Sequence, residues 1–260
     1  MHYFDVPEAR GVVVIVHGAG EHSGRYKWLI EKWNLHGFDC LIGDLPGQGE
    51  SRGKRGHIDS FKQYIKTVDR WLKHARTKQL PIILLGHSMG GLIAVRTLIE
   101  RDNTFIQAVV LSSPCLELSM PVPAPKRAAA KMLNHIAPAL SMKSGLEPEL
   151  TTRSEQIREE YARDPLRVTK VSARWYHELS KAMIATRRYP EKMPTIPVLL
   201  LASGEDYVVD KRAGLAWFNH LEISHKMYKE WDGLYHELYN EPEREEVFSY
   251  TIGFVNMLFP

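Results

Sequence analysis

Residues 84–95, LLGHSMGGLIAV, decide the fold of this chain. They contain the pattern G-x-S-x-G at residues 86–90, with Ser88 at its centre, between an apolar run and a helical pattern. In that context the serine stands on a sharp turn from a strand into a helix, and its hydroxyl projects at the edge of a sheet. The stretch therefore predicts a nucleophilic Ser88. The alternative is a simple strand-to-helix turn that the serine caps.

Short strand-like runs alternate with amphipathic helical patterns on both sides of this stretch, which is typical of a parallel sheet with crossover helices. The strand candidates are residues 12–16, 38–42, 81–86, 108–113, 197–202 and 226–231. Four of the six are almost entirely apolar, as expected for strands that are covered on both faces. The sequence thus predicts an α/β fold with a mostly parallel sheet flanked by helices.

One segment breaks this alternation after the fourth strong strand. About 80 residues contain proline-rich joints, an apolar helical stripe from Ala129 to Leu140 and a charged helical stretch at 152–163, but no convincing strand. Ligands of open α/β sheets bind outside the carboxyl ends of the strands. We therefore interpret residues 115–193 as a helical cap over that edge, and residues 1–114 and 194–260 as the core.

A serine hydroxyl needs a base to take its proton, and the base needs an acid to orient it. With G-x-S-x-G the expected chain order is serine, acid, histidine. The loop after residues 197–202 supplies the acid, and we favour Asp206 because it lies in the loop. Asp210 is better explained as a helix N-cap, and Glu205 remains the local competitor.

Twelve histidines compete for the role of the base. His236 lies between the last strand and the last helix, where a loop must present it, whereas His220 lies on a helical pattern and His225 precedes a strand. Asp232 is an alternative orienting neighbour of His236. In the predicted reaction His236 deprotonates Ser88, which attacks an acyl carbonyl, and water then hydrolyses the acyl-enzyme. This chemistry requires no metal and no organic cofactor.

A second glycine-rich stretch, HGAGEHSG at residues 17–24, follows the first strong strand. It lacks the lysine and the glycine spacing of a phosphate-binding loop, and no third ligand lies near His17 and His22 to complete a metal site. A serine enzyme needs two N–H donors for the oxyanion of its intermediate. We predict that the backbones of Ala19 and Met89 provide them.

Four stretches carry a resemblance to a known family: HGAGEHSGRY (17–26), DLPGQGESRGKRGHIDSF (44–61), LLGHSMGG (84–91) and GLYHELYNEPEREEVF (233–248). Together they resemble the monoacylglycerol lipase and lysophospholipase branch of the α/β-hydrolases, which also carries the label serine aminopeptidase, and within it the bacterial phospholipase-type members. The resemblance extends over nearly the whole chain and is weakest in the cap. It implies an α/β-hydrolase fold and places Ser88, Asp206, His236, Ala19 and Met89 in the roles argued above.

One departure from the family pattern concerns the start of the chain. Only about eleven residues precede the first strong strand, so the leading antiparallel strands are expected to be shortened. This affects the edge of the sheet and leaves the predicted site unchanged.

The substrate class follows mainly from the resemblance, which implies a lipid ester with one acyl chain, either a monoacylglycerol or a lysophospholipid. Adaptable apolar side chains of the cap are candidates for binding the acyl chain: Met120, Met132, Leu133, Ile136 and Met183. The same side chains are equally what a cap needs to pack on the core. Lys126, Arg127 and Lys131 either touch anionic headgroups during a transient membrane contact or form a solvated face.

Composition excludes several other classes. The net charge is +3 and no long Lys/Arg run exists, so no nucleic-acid partner is indicated. No apolar run approaches the ~18 residues of a membrane span, and no signal peptide is recognisable. Cys40 and Cys115 have neither disulfide nor metal spacing, which favours free thiols and a cytoplasmic location.

Several alternatives use the same fold. A serine nucleophile argues against an epoxide hydrolase or a haloalkane dehalogenase, which use aspartate. An aminopeptidase-like enzyme, a carbon–carbon bond hydrolase and a non-catalytic binding protein remain open.

Overall fold

The computed structural model describes residues 1–102, 104–120 and 132–259. Strands in this part of the chain are β1 (His2–Phe4), β2 (Gly11–Val16), β3 (Phe38–Ile42), β4 (Ile82–His87), β5 (Ile106–Ser112), β6 (Ser141–Lys143), β7 (Lys170–Ser172), β8 (Val198–Ser203) and β9 (Lys226–Trp231). Seven of them form one sheet in the order β1-β3-β2-β4-β5-β8-β9. All neighbours in it are parallel except β1 and β3. The predicted mostly parallel sheet is confirmed.

Helices lie on both faces of this sheet. The α-helices with fully described bounds are α1 (Lys27–Leu35), α2 (Lys62–Arg76), α3 (Met89–Glu100), α4 (Glu155–Arg163), α5 (Ala173–Arg188), α6 (Lys211–Asn219) and α7 (Arg244–Leu258). Alternate residues of β2 face opposite cores, as the period of a strand requires. Val12 and Val14 join the core containing α2 and α3, whereas Val13 and Ile15 join the core containing α1 and α7.

All six predicted strands are present, with ends that differ by at most two residues from those expected. The start of the chain adds β1, which has only three residues and pairs antiparallel with β3. One short antiparallel strand therefore lies at this edge of the sheet.

The segment between β5 and β8 departs from the prediction. β6 and β7 pair antiparallel, with Met142 opposite Val171, so the expectation of no strand here was wrong. Each strand has only three residues, too few to display a recognisable alternation. The predicted charged helix is α4, which begins after Ser154, whose side chain accepts a hydrogen bond from the N–H of Ile157.

The apolar helical stripe ends earlier than expected. Residues 132–136 are helical, Leu140 lies beyond the helical residues, and Ala129 lies outside the described residues. Within the described ranges, no helix has the length and apolar character needed to cross a membrane.

Candidate active site

Ser88 occupies the turn between β4 and α3. Its backbone has φ 53° and ψ −122°, a conformation that a residue with a side chain rarely adopts. The two glycines of the pattern are required by space: a Cβ on Gly90 would lie 2.0 Å from the carbonyl oxygen of Val16, and one on Gly86 would lie 2.6 Å from that of Gly90. The turn therefore brings Ser88 to the carboxyl edge of the sheet in the manner that the sequence predicts.

The structure brings Ser88, His236 and Asp206 together from the turn after β4 and the loops after β9 and β8. Ser88 Oγ lies 2.8 Å from His236 Nε2, and His236 Nδ1 lies 2.8 Å from Asp206 Oδ2. The other oxygen of Asp206 accepts the N–H groups of Val208 and Val209 at 2.9 and 2.8 Å. This orients the carboxylate and fixes the proton of His236 on Nδ1, leaving Nε2 free to accept a proton from Ser88.

The electrostatics of the site favour a charged His236. Burial by itself lowers the pKa of His236, but the charge and hydrogen bond of Asp206, with smaller effects of Glu237 and Glu21, outweigh it and raise the pKa above its usual value. The neighbouring ring of His87 lies 4.9 Å away between centroids. Burial and the proximity of His236 lower the pKa of His87 to about 4, so His87 is neutral at pH 7.

The competing acids and histidines lie elsewhere. Glu205 is exposed and accepts a hydrogen bond from the Tyr207 hydroxyl at 3.3 Å. Asp210 caps α6 by accepting the N–H of Arg212 at 3.0 Å, as predicted. The remaining competitors, His220, His225 and Asp232, are all exposed.

The loop after β2 lies against the nucleophile. A Cβ on Gly18 would come within 3.1 Å of Ser88 Cβ, so a side chain at this position would crowd the nucleophile. The N–H of Gly18 donates to Glu21 Oε1 at 2.5 Å and that of Gly20 to Gln48 Oε1 at 3.0 Å. The N–H groups of Ala19 and Met89 donate to no atom of the described chain. These two uncommitted donors are the pair that the sequence predicts for an oxyanion.

His17 and His22 brace this loop. His17 Nδ1 donates to the carbonyl of Gly18 at 2.8 Å, and its Nε2 accepts the N–H of Leu45 at 3.0 Å. His22 Nδ1 accepts the N–H of Gly24 at 3.1 Å, and its Nε2 donates to Asp164 at 2.7 Å. Because all four ring nitrogens have partners within the protein, both histidines act as supports of the loop.

Sequence reasoning missed a buried ionic group beside the site. Arg25 forms two hydrogen bonds with Glu237, at 3.0 and 2.8 Å, and an ion pair with Glu21 at 3.2 Å. Burial alone would raise the pKa of Glu237, but Arg25 lowers it to about 2. The only indication of this group in the sequence was that Glu21 stands next to His22 and Glu237 next to His236. Their pairing spans 212 positions and is visible only in the fold.

The candidate acyl-binding side chains lie in different environments. Met183 is buried, with its sulfur 3.7 Å from that of Cys115, and Leu133 is half-buried. Exposure is high for Met120 (68%), Met132 (58%) and Ile136 (70%). The basic candidates Lys126, Arg127 and Lys131 lie outside the described residues.

The cavity beside the nucleophile is small. Ser88 is 7% exposed and His236 3%. The adjoining cavity, about 10 Å³, has room for about one water molecule. Leu146, Thr151 and Tyr161, all from the segment between β5 and β8, form part of its lining.

Comparisons with known proteins identify the family of this chain. The family model described as serine aminopeptidase, S33 matches residues 7–243. Phospholipase YtpA of Bacillus subtilis is 47% identical over 245 residues, which cover 94% of this chain and 95% of that protein. Human monoglyceride lipase is 32% identical over 241 residues, covering 89% of this chain and 77% of that protein.

The crystal structure of a monoacylglycerol lipase from Paleococcus ferrophilus superposes with a TM-score of 0.88 at 37% identity, covering 99% of this chain and 97% of that one. The predicted family and fold are confirmed. The chain belongs to the serine aminopeptidase S33 family and is a hydrolase with the α/β-hydrolase fold.

Proposed function

We propose that this protein is a serine esterase that hydrolyses lipid esters with one acyl chain, monoacylglycerols or lysophospholipids, through an acyl-enzyme on Ser88. The observation that carries the proposal is the hydrogen-bonded series Ser88–His236–Asp206, with both links at 2.8 Å. The substrate class is supported by similarity to proteins named phospholipase and monoacylglycerol lipase, at 47% and 37% identity.

The reaction begins with proton transfer. His236 Nε2 accepts the proton of Ser88 Oγ while that oxygen bonds to the acyl carbon. The N–H groups of Ala19 and Met89 then stabilise the negative charge on the former carbonyl oxygen, each contributing roughly 3 kcal/mol to lowering the barrier. When the intermediate collapses, the C–O bond to the alcohol breaks and the imidazolium gives its proton to the departing oxygen.

Water completes the cycle. His236 accepts a proton from a water molecule, which attacks the acyl carbon and releases the fatty acid, and the proton returns to Ser88 Oγ. Throughout both halves Asp206 holds the imidazole in one tautomer and stabilises its charged form.

We also propose that residues 115–193 act as a cap on the core formed by residues 1–114 and 194–260. Leu146, Thr151 and Tyr161 line the cavity next to Ser88, so this segment covers the nucleophile. A cavity of about 10 Å³ has no room for an acyl chain. We propose that the cap moves when an acyl ester reaches Ser88, and the candidate side chains Met120, Met132, Leu133, Ile136 and Met183 stay predictions for that open form.

Transient contact with a lipid surface is a further part of the proposal. Large apolar side chains are exposed on the same segment: Met120, Met132, Ile136, Leu140 and Met142. Apolar side chains placed in this way can enter the boundary between headgroups and acyl chains. The buried free thiols of Cys40 and Cys115 support a reducing compartment, and we place the protein in the cytoplasm.

A substrate panel tests the proposal. Wild type and Ser88→Ala are compared on p-nitrophenyl esters of short and medium chains, then on monoacylglycerols, lysophospholipids and aminoacyl amides. We expect ester turnover by the wild type alone, with equal melting temperatures for the two proteins. Turnover of aminoacyl amides without ester turnover would instead assign a peptidase, and inactivity on every ester would refute the esterase.

A further inference from the structure

Glu237 is a buried carboxylate that the reaction above does not use. It follows His236 directly, and both of its oxygens accept hydrogen bonds from Arg25. Asn240 Nδ2 donates to one of these oxygens at 2.8 Å. Burying a carboxylate is unfavourable unless it is paired and hydrogen-bonded, and here its pairing is complete.

Arg25 also holds a carboxylate from the other side of the site. Its Nη1 lies 3.2 Å from Glu21 Oε2, and its guanidinium stacks on the Tyr161 ring at 4.1 Å from the centroid. One buried arginine thus joins Glu21, in the loop after β2, to Glu237, in the loop after β9. The planar guanidinium suits this role because its donors point in fixed directions.

Each carboxylate is connected through the backbone to one of the groups proposed to react. Glu21 Oε1 accepts the N–H of Gly18 at 2.5 Å, and Gly18 immediately precedes Ala19, the oxyanion donor. The same oxygen accepts the Tyr26 hydroxyl at 2.8 Å. At the other end, Glu237 shares a peptide bond with His236. The ionic group therefore links the donor loop to the loop of the base.

We propose that Glu21, Arg25 and Glu237 form a positioning clamp that sets the distance between the Ala19 N–H and the His236 imidazole. The inference rests on the proposed function, since it assigns those two groups their roles. Acyl transfer requires the base and the oxyanion donor to face the same carbonyl, and a misplacement of about 1 Å can reduce the rate by about 100-fold. None of the three clamp residues is proposed to touch the reacting atoms.

The first test replaces the charge of one carboxylate with little change of shape. Glu237→Gln is compared with Glu241→Gln, a matched control in the same loop. Glu241 is also buried and paired with one arginine, because it accepts the backbone N–H and Nε of Arg153 at 2.7 and 2.5 Å. Arg153 lies outside the donor loop. Both variants should lower the melting temperature, and only Glu237→Gln should lower kcat, by about 10- to 100-fold with KM nearly unchanged.

The pH profile of kcat/KM is a second test, because it should not shift if Glu237 only stabilises the fold. The charged or titratable groups facing His236 are Asp206 from the loop after β8, His87 from β4, Glu21 from the loop after β2 and the adjacent Glu237. The two glutamates add to the effect of Asp206 in raising the pKa of His236. Removing the charge of Glu237 should lower that pKa. The base then stays neutral to lower pH, so the acid limb of kcat/KM should move to lower pH in Glu237→Gln and stay in place in Glu241→Gln.

A double variant tests whether the three residues act as one unit. Glu21→Gln should reduce kcat by a factor similar to that of Glu237→Gln. The double variant should lose less than the product of the two factors, because the first change already releases the clamp. If the loss of kcat in the double variant equals the product of the two single losses, the residues act independently and the clamp is wrong.

Labelling separates failure of the clamp from failure of the esterase. The rate at which a fluorophosphonate labels Ser88 depends on the base and the oxyanion donors even if no natural ester is turned over. Slower labelling of Glu237→Gln than of Glu241→Gln, at temperatures where both are folded, supports the clamp. Equal labelling rates and equal kcat in the two variants would overturn it and leave Glu237 a stabilising residue only.

Discussion

The turn at Ser88 and the segment between β5 and β8 are built on different principles. At the turn, the strained backbone of Ser88 and the hydrogen bonds that join Ser88, His236 and Asp206 fix these side chains, and Ser88 and His236 are almost completely covered. The segment above it contains three-residue strands and exposes Ile136 and Met132 to solvent. We therefore propose that the core carries out the chemistry and that the cap governs entry and selection of the substrate. Substitutions at the turn should therefore reduce kcat on every substrate. Substitutions in the cap should change only the turnover of large or membrane-bound substrates.

The largest effect should come from the base. His236→Ala removes the only proton acceptor within hydrogen-bonding distance of Ser88 Oγ in the described chain, so kcat should fall by about 10⁶-fold. Labelling of Ser88 by a fluorophosphonate should disappear as well. His220→Ala is the control, because His220 is exposed and its Nδ1 donates to the Ala216 carbonyl in its own helix. Unchanged labelling of His236→Ala would remove His236 from its role.

The next largest effect should come from the acid. Asp206→Asn preserves the shape but favours the wrong tautomer of His236, so kcat should fall by about 10⁴-fold. Glu205→Gln, one position earlier and exposed, should stay within about twofold of wild type. Steady-state kinetics on a p-nitrophenyl ester checks both variants. The reverse ranking would assign the acid to Glu205.

A smaller loss is expected from the donor loop. In Gly18→Ala the new Cβ would lie 2.8 Å from Glu21 Oε1 and 3.1 Å from Ser88 Cβ, which displaces the loop and its Ala19 N–H. We expect kcat to fall by about 100-fold. Gly253→Ala is the control, because a Cβ there meets nothing within 4 Å. Full activity of Gly18→Ala would contradict the role of this loop.

The smallest effect should appear in the cap and should depend on the substrate. Ile136→Ser should lower turnover of a monoacylglycerol embedded in vesicles by about threefold, since less apolar area enters the lipid. Turnover of p-nitrophenyl acetate in solution should be unchanged. Leu35→Ser is the control, because Leu35 is 78% exposed and Ile136 is 70% exposed, but Leu35 lies on α1. Equal losses in the two variants would place the lipid contact elsewhere.

Sequence reasoning succeeded where the local chemistry was strict. Gly86 and Gly90 specify a turn in which neither position has space for a Cβ, and the chain order then directs attention to Asp206 and His236 in their loops. The six main strands were recognisable because burial on both faces or alternation leaves a strong pattern. Sequence reasoning failed where the structure depends on distant partners.

Two features illustrate that failure. β6 and β7 stabilise each other across 26 intervening residues, and neither has a pattern of its own. The pairing of Arg25 with Glu237 arises only when the first and last thirds of the chain meet. Charged residues beside a motif histidine are usually solvated, so nothing in the sequence distinguished this pair from ordinary surface charges.

Turnover of a p-nitrophenyl ester by wild type and Ser88→Ala, with the melting temperature of each, tests the central claim most directly. We expect kcat to fall by about 10⁶-fold in Ser88→Ala, to the background rate, at an unchanged melting temperature because only the hydroxyl is removed from the turn. Turnover by Ser88→Ala at the rate of the wild type would contradict it, because the ester would then be cleaved without an acyl-enzyme on Ser88.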